Sequence, residues 1–229
     1  MLVRHSRQTD GSWHRHFSPN GAAFAKTSFF RVTESISTTG SSVRDVEIYG
    51  EGEPAEHFYM VMSGAVRTYK VLVDGRRQVC AFYLSGEFFG LEADDVHAFS
   101  AETIIDSKIM TIKRSAIMAR AEGNKEIARQ LWAMTGGELR RVQSHVLLLI
   151  KTAKERVAEF LLEMAARAPA NEALELPMSR QDIADYLGLT IETVSRVLTD
   201  LEKSGAIALP NSRRVMLRNA DALRRYGGG

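Results

Sequence analysis

The stretch Pro177 to Ile207, PMSRQDIADYLGLTIETVSRVLTDLEKSGAI, decides how this chain is read. Ser179 is a helix N-cap residue, and Asp182, three positions on, supplies the acidic half of a capping box. Ile183, Ala184 and Leu187 then give the helix that begins at Arg180 and Gln181 an inner face. Gly188 ends that helix by offering the left-handed residue a tight turn needs. Thr190 caps the next helix, whose buried side is Val194, Val197, Leu198 and Leu201. Two short helices about a glycine turn predict a helix-turn-helix.

Helical spacing then sets what faces outward. Glu192, Ser195 and Arg196 stand at i, i+3 and i+4, opposite the valines and near the N-terminal end of the second helix. In this motif that end enters the DNA major groove. Arginine bonds guanine in bidentate fashion, glutamate accepts from the cytosine amino group, and a serine hydroxyl serves several partners. With Ile191 at the head of the helix, these three form the expected base-contacting set. Ser179, Arg180, Gln181, Thr190 and Thr193, with Arg213 and Arg214 near the turn of an expected hairpin, are the expected phosphate contacts. A glutamate four residues before an arginine is also an ordinary surface pair, so Glu192 and Arg196 suit that role, base reading, or both.

Upstream of this motif, KERVAEFLLEMAARAP from Lys154 reads as an amphipathic helix ended by Pro169. Before it, Ile127, Leu131, Met134, Val142, Val146 and Leu149 fall at three- and four-residue steps or their multiples, the stripe of a long helix over 124–150. Gly136 and Gly137 predict a bend or weak point midway. Such a stripe suits a core helix under the preceding half or, the preferred reading, the seam of a homodimer. Its register changes near Leu149 to Lys154, which places a boundary there.

From about Phe29 to Ser115 the text turns to short apolar or alternating runs, including Phe58 to Met62, Ala65 to Val73 and Arg77 to Tyr83. Asp74-Gly75 between two of them is a hairpin signal. The expected fold is α+β: an irregular extension over 1–28, an antiparallel β-roll of the cyclic-nucleotide-binding kind over 29–123, a dimerisation helix over 124–150, and a winged helix-turn-helix over 151–229.

Composition limits the alternatives. With 229 residues and a formal charge of +2, the chain is long enough for two domains, and its net charge is too small to argue for nucleic acid by itself. The sequence shows no apolar run of membrane-spanning length and no secretory leader, so a cytoplasmic location is expected. Cys80 is the single cysteine, which excludes an intramolecular disulfide or a cysteine-ligated cluster within one chain. A buried hydrophobe is the favoured reading of Cys80 over a redox switch. His5, His14 and His16 lie in the extension, and His57, His97 and His145 are isolated from one another, so no metal or other cofactor is expected. Neither a nucleophile–base arrangement nor a phosphate-cradling glycine loop is recognisable, and the chain is not expected to be an enzyme.

The order of β-roll, long helix and C-terminal SRQDIADYLGLTIETVSR resembles the CRP/FNR superfamily of dimeric bacterial transcription regulators over nearly all of the chain after the extension. Glu192, Ser195 and Arg196 in an E-x-x-S-R arrangement are similar to the FNR branch, which reads a TTGA-type half-site; the glycine of the CRP branch is absent. Gly86-Glu87 and Gly90 remain in the roll, but LEADDVHAFSAET has no phosphate-binding arginine, and Phe99 takes its place. Activation by a cyclic nucleotide is therefore not expected. The N-terminal cysteines of FNR itself are also missing. The remaining resemblance is to the FixK group, which implies a homodimeric activator of microaerobic, nitrogen-fixation or respiration genes, with palindromic DNA and RNA polymerase as partners. The rival reading is a regulator gated by a small effector held in the roll.

Overall fold

The computed structural model describes residues 32–168 and 173–227. The expected extension over 1–28 and Pro169 lie outside them. Eight strands form the first half: β1 (Ser37–Ser42), β2 (Glu47–Tyr49), β3 (His57–Ser63), β4 (Ala65–Val71), β5 (Arg77–Leu84), β6 (Phe88–Phe89), β7 (Ser100–Thr103) and β8 (Ser107–Lys113). They make two antiparallel four-stranded sheets, in the orders β1-β8-β3-β6 and β2-β7-β4-β5. Period-two alternation explains the layering. In β3, Tyr59 and Val61 point between the sheets with Tyr49, Val66, Tyr83 and Phe89. Phe58 and Met60 point the other way, onto helices.

Turns close the roll where glycine permits. At Asp74-Gly75 the Gly75 amide donates to Leu72 O at 2.9 Å, and β4 pairs with β5 from Val71↔Arg77. Between β3 and β4, Gly64 has φ +95°, and a Cβ there would lie 2.7 Å from the Asp106 carbonyl oxygen, so the turn requires glycine.

Helix α1 (Arg114–Gly123) leads into α2 (Lys125–Leu149), which Asn124 caps by accepting from the amides of Glu126 and Ile127. Backbone helicity is unbroken through Gly136 and Gly137, the place where the sequence predicts a bend or weak point. Two glycines cost about 1 kcal/mol each against alanine; Met134 before them and Glu138 and Arg141 after them are packed against the roll, and that tertiary contact holds the helix. The chain leaves α2 at Ile150 and re-enters a helix, α3 (Ala153–Arg167), behind a Thr152–Glu155 capping box.

The last part comprises β9 (Leu174–Glu175), α4 (Arg180–Leu187), α5 (Ile191–Lys203), the hairpin β10 (Ile207–Asn211) and β11 (Arg214–Leu217), and α6 (Ala220–Tyr226). The order β10-β11-β9 gives the small sheet of a winged helix-turn-helix. Its core draws on α3, α4 and α5 together, through Phe160, Leu161, Met164, Ile183, Leu187, Val194 and Leu201.

Candidate DNA-binding site

The reading element is built from its caps. Ser179 Oγ accepts from the Asp182 amide at 3.1 Å, while Asp182 Oδ2 accepts from the Ser179 amide at 2.9 Å and from its hydroxyl at 2.7 Å. Both halves of the capping box are therefore present. Gly188 adopts φ 62°, ψ 41°, the left-handed geometry the sequence requires. Arg156 Nη1 donates to Leu187 O at 2.8 Å and so fixes the C-terminal end of α4. Thr190 Oγ1 accepts from the Thr193 amide at 3.2 Å and caps α5. Val194, Val197, Leu198 and Leu201 are buried, which forces the opposite face of α5 outward.

On that face Glu192 and Arg196 are exposed, Ser195 is half-exposed, and Ile191 retains 36% of its surface. Among the described residues no ion pair joins Glu192 to Arg196, so neither side chain is spent on the other. The Glu192 amide and Thr190 hold the Glu192 carboxyl below its ordinary value, and it is ionised at neutral pH. An ionised acceptor and a free guanidinium thus share one exposed helix face beside a helix N-terminus, where partial positive charge favours phosphate.

The expected phosphate contacts divide. Ser179, Thr190 and Thr193 lie at the two helix starts, serving as or beside caps. Gln181 donates to Asp185 Oδ1 at 2.6 Å. Arg180 is half-buried and its Nε has no hydrogen-bond partner among the described residues. Arg213 is half-buried, donating to Pro177 O at 3.4 Å, and Arg214 pairs with Glu175 at 3.2 Å on the surface. An exposed pair of that kind is worth little and ties Arg214 only weakly to Glu175.

The expected dimer seam also divides. Ile127 is 2% exposed and packs with Phe58, Phe88 and Ile117, while Leu131 and Met134 are half-buried against the same cluster. These three face their own roll, and Ile127 has no surface to offer a second copy. Val142 and Val146 are each 58% exposed, and Leu149 is half-buried. They continue a run that begins with four residues the sequence stripe did not include, Ala128, Trp132, Thr135 and Leu139, and goes on through Val142, Val146 and Leu149, spaced alternately by four and three residues. Trp132 is 81% exposed and Leu139 58%. The stripe missed them because the helix is apolar on two faces, one toward the roll and one toward solvent.

Where the roll meets α2 and α3, charged side chains face one another. Arg167 of α3 donates to Glu87 Oε1 and Oε2 at 3.0 and 2.7 Å, Arg141 of α2 stands 3.9 Å from the same carboxylate, and the Leu84 amide donates to it at 2.9 Å. Burial pushes the Glu87 carboxyl up, but the two guanidinium groups outweigh it and hold the group below its ordinary value. Tyr83 donates to Glu138 at 3.1 Å, and Arg141 lies over the Tyr83 ring. His97, buried at 1%, stacks on Tyr49 with ring centroids 3.6 Å apart. Cys80 lies at the irregularity between Thr68 and Tyr69, and burial pushes its thiol up to about 11, away from the range of a reactive thiolate. Among the described residues no cluster of histidine, cysteine and carboxylates is arranged to hold a metal.

Comparison with known proteins agrees with this geometry. The family model of the Crp-like helix-turn-helix domain matches residues 155–226, and that of the cyclic nucleotide-binding domain matches 41–124. A nitrogen fixation regulation protein FixK of Azorhizobium caulinodans is 49% identical over 85% of this chain and 81% of its own length. A transcriptional activator protein, Anr, of Pseudomonas aeruginosa is 34% identical over 70% and 69%. The solved structure of FixK2 from Bradyrhizobium japonicum superposes with a TM-score of 0.81 at 51% identity, covering 83% of this chain and 97% of that one. With a nucleotide-binding-type roll, a helix-turn-helix whose reading face is exposed, and these relatives, the chain belongs to the CRP/FNR family and is a DNA-binding transcription activator of the FixK/FNR type.

Proposed function

We propose that the chain binds as a homodimer to a near-palindromic TTGA-type site, with its two α5 helices in successive major grooves about 34–36 Å apart. The observation that carries this reading is the exposed outward face of Glu192, Ser195 and Arg196, with no ion pair between Glu192 and Arg196 among the described residues. The exposed Trp132–Leu139–Val146 run supports pairing of α2 with its copy, because an apolar heptad stripe on a helix is buried by a second helix. Its target genes are those of nitrogen fixation, in line with the names of its FixK relatives, or of microaerobic respiration. It acts in the cytoplasm by recruiting RNA polymerase and carries out no catalytic step of its own; among the described residues no helix is long and apolar enough to cross a membrane.

Effector-independent binding is supported by Glu87, whose carboxylate is occupied by Arg167 and Arg141 of the protein itself. A mobility shift with purified protein tests both points at once. Tight binding to a TTGA palindrome without additives, and weak binding to a scrambled duplex, is the expected result. Binding that depends on a small molecule from a cell extract would replace this reading with a ligand-gated one, and a footprint without dyad symmetry would remove the homodimer.

A further inference from the structure

The one carboxylate that caps the first helix of the reader is also the point at which the roll grips it. Asp182 Oδ2 bonds Ser179, while its Oδ1 accepts from Arg67 Nη1 of β4 at 3.1 Å and from Arg77 Nη2 of β5 at 2.6 Å. Arg77 spans on to Asp185 Oδ2 through Nε and Nη2 at 3.0 and 2.9 Å, and Arg67 is countered by Glu102 at 2.9 Å. Gln78, next in β5, donates to the Asp185 carbonyl oxygen at 2.6 Å. Asp182 and Arg67 are nearly sealed from solvent, with side chains 4% and 7% exposed. A charge pair of that burial is costly to separate, so it fixes one orientation of α4 on the sheet. This grip lies away from the outward face of α5, where Glu192 and Arg196 stay exposed, so it orients the reader without covering it.

We propose that Arg67 and Arg77 are positioning residues for DNA reading: through Asp182 and Ser179 they set the angle of each helix-turn-helix relative to its own roll, and thereby the separation of half-sites the dimer accepts. The inference rests on the homodimeric reading above. Without the grip, each reader pivots about the break between α2 and α3, at Ile150–Thr152. One inserted base pair shifts a half-site by about 3.4 Å and turns it by about 35°, which a fixed pair of readers rejects and a pivoting pair tolerates.

The test measures binding of the full chain to the palindrome, to the same palindrome with one base pair inserted between half-sites, and to a single half-site. Arg77→Ala keeps Arg67 in place, and the Arg167–Glu87 bridge and the Phe82–Tyr186 ring contact still hold roll and reader together. The expected result is a spacing penalty about tenfold smaller than in the wild type, with single half-site affinity unchanged and partial recovery in Arg77→Lys. Asp185→Asn, which loosens the same contact from the reader's side while keeping its shape, should move the penalty the same way if Arg77→Ala folds poorly. An unchanged spacing penalty in these variants, or a loss wholly accounted for on the single half-site, overturns the positioning role. A wild-type protein with no spacing penalty overturns instead the homodimeric reading on which it rests.

Discussion

The outward face of α5 and the junction of the β-roll with α2 and α3 both carry polar side chains, and they use them in opposite ways. On α5, Glu192 and Arg196 point to solvent with no ion pair between them among the described residues, while burial of four apolar residues behind them holds the helix still. Where the roll meets α2 and α3, Glu87, Arg141, Arg167, Glu138 and Tyr83 are joined to one another. Free polar groups on a rigid support are what recognition needs, because they pay for desolvation only when the right partner arrives. Polar groups already satisfied inside the protein resist a ligand, which would have to displace bonds of equal quality. The difference teaches that the Glu87 carboxylate is already occupied by the protein's own arginines, while the side chains on the outward face of α5 remain open to a partner.

The largest effect expected from breaking this contrast is at Glu87. Glu87→Ala leaves Arg167 and Arg141 buried without their carboxylate, and a loss of about 3–5 kcal/mol in unfolding free energy is expected, read from the denaturant midpoint at constant slope. A loss below about 1 kcal/mol would mean that the roll's polar groups are not held as tightly as their distances imply. Arg196→Ala should leave stability unchanged and cost about 1–3 kcal/mol of binding per half-site, with relaxed preference at one base pair. Equal losses on specific and random duplexes would show that Arg196 contacts phosphate. Ser179→Ala removes a cap and should cost about 1 kcal/mol of stability; full retention of stability would show that the grip on Asp182 alone holds the start of α4.

The smallest effect is a pH dependence at His145, which packs on the Tyr186 ring with centroids 4.2 Å apart, between α2 and the reader. Burial lowers its pKa below the ordinary 6.5, with Glu163 opposing in part. The unfolded chain therefore binds more protons than the folded one as pH falls through 6.5, and the stability present above that pH is lost below it. Tm should fall between pH 7.5 and 5.5 by more in the wild type than in His145→Gln, and equal falls would remove His145 from the account.

The reader was legible because its signals are local. Ser179, Asp182, Gly188 and Thr190 act on backbone groups within four residues, and periodicity alone turns Val194 inward and Arg196 outward. The roll's strands and the Asp74-Gly75 turn were legible for the same reason. The two faces of α2 were not separable in the sequence: Val142 and Val146 are exposed, as the proposed seam needs, but Ile127, Leu131 and Met134 belong to the face packed on the roll, and a one-dimensional stripe does not separate two faces. Arg67 and Arg77 gave no signal, since they stand among strand residues more than a hundred positions from the aspartates they meet.

What the sequence determined by itself is the reading helix, its caps and its exposed triad, because hydrogen bonds and helical period link residues a few positions apart. Only the tertiary structure decided that Asp182 serves two masters, capping α4 and anchoring it to the roll, and that Glu87 is closed by arginines from two helices. Those pairings depend on how strands and helices pack in space, and burial, which makes them strong, appears only once the chain has folded.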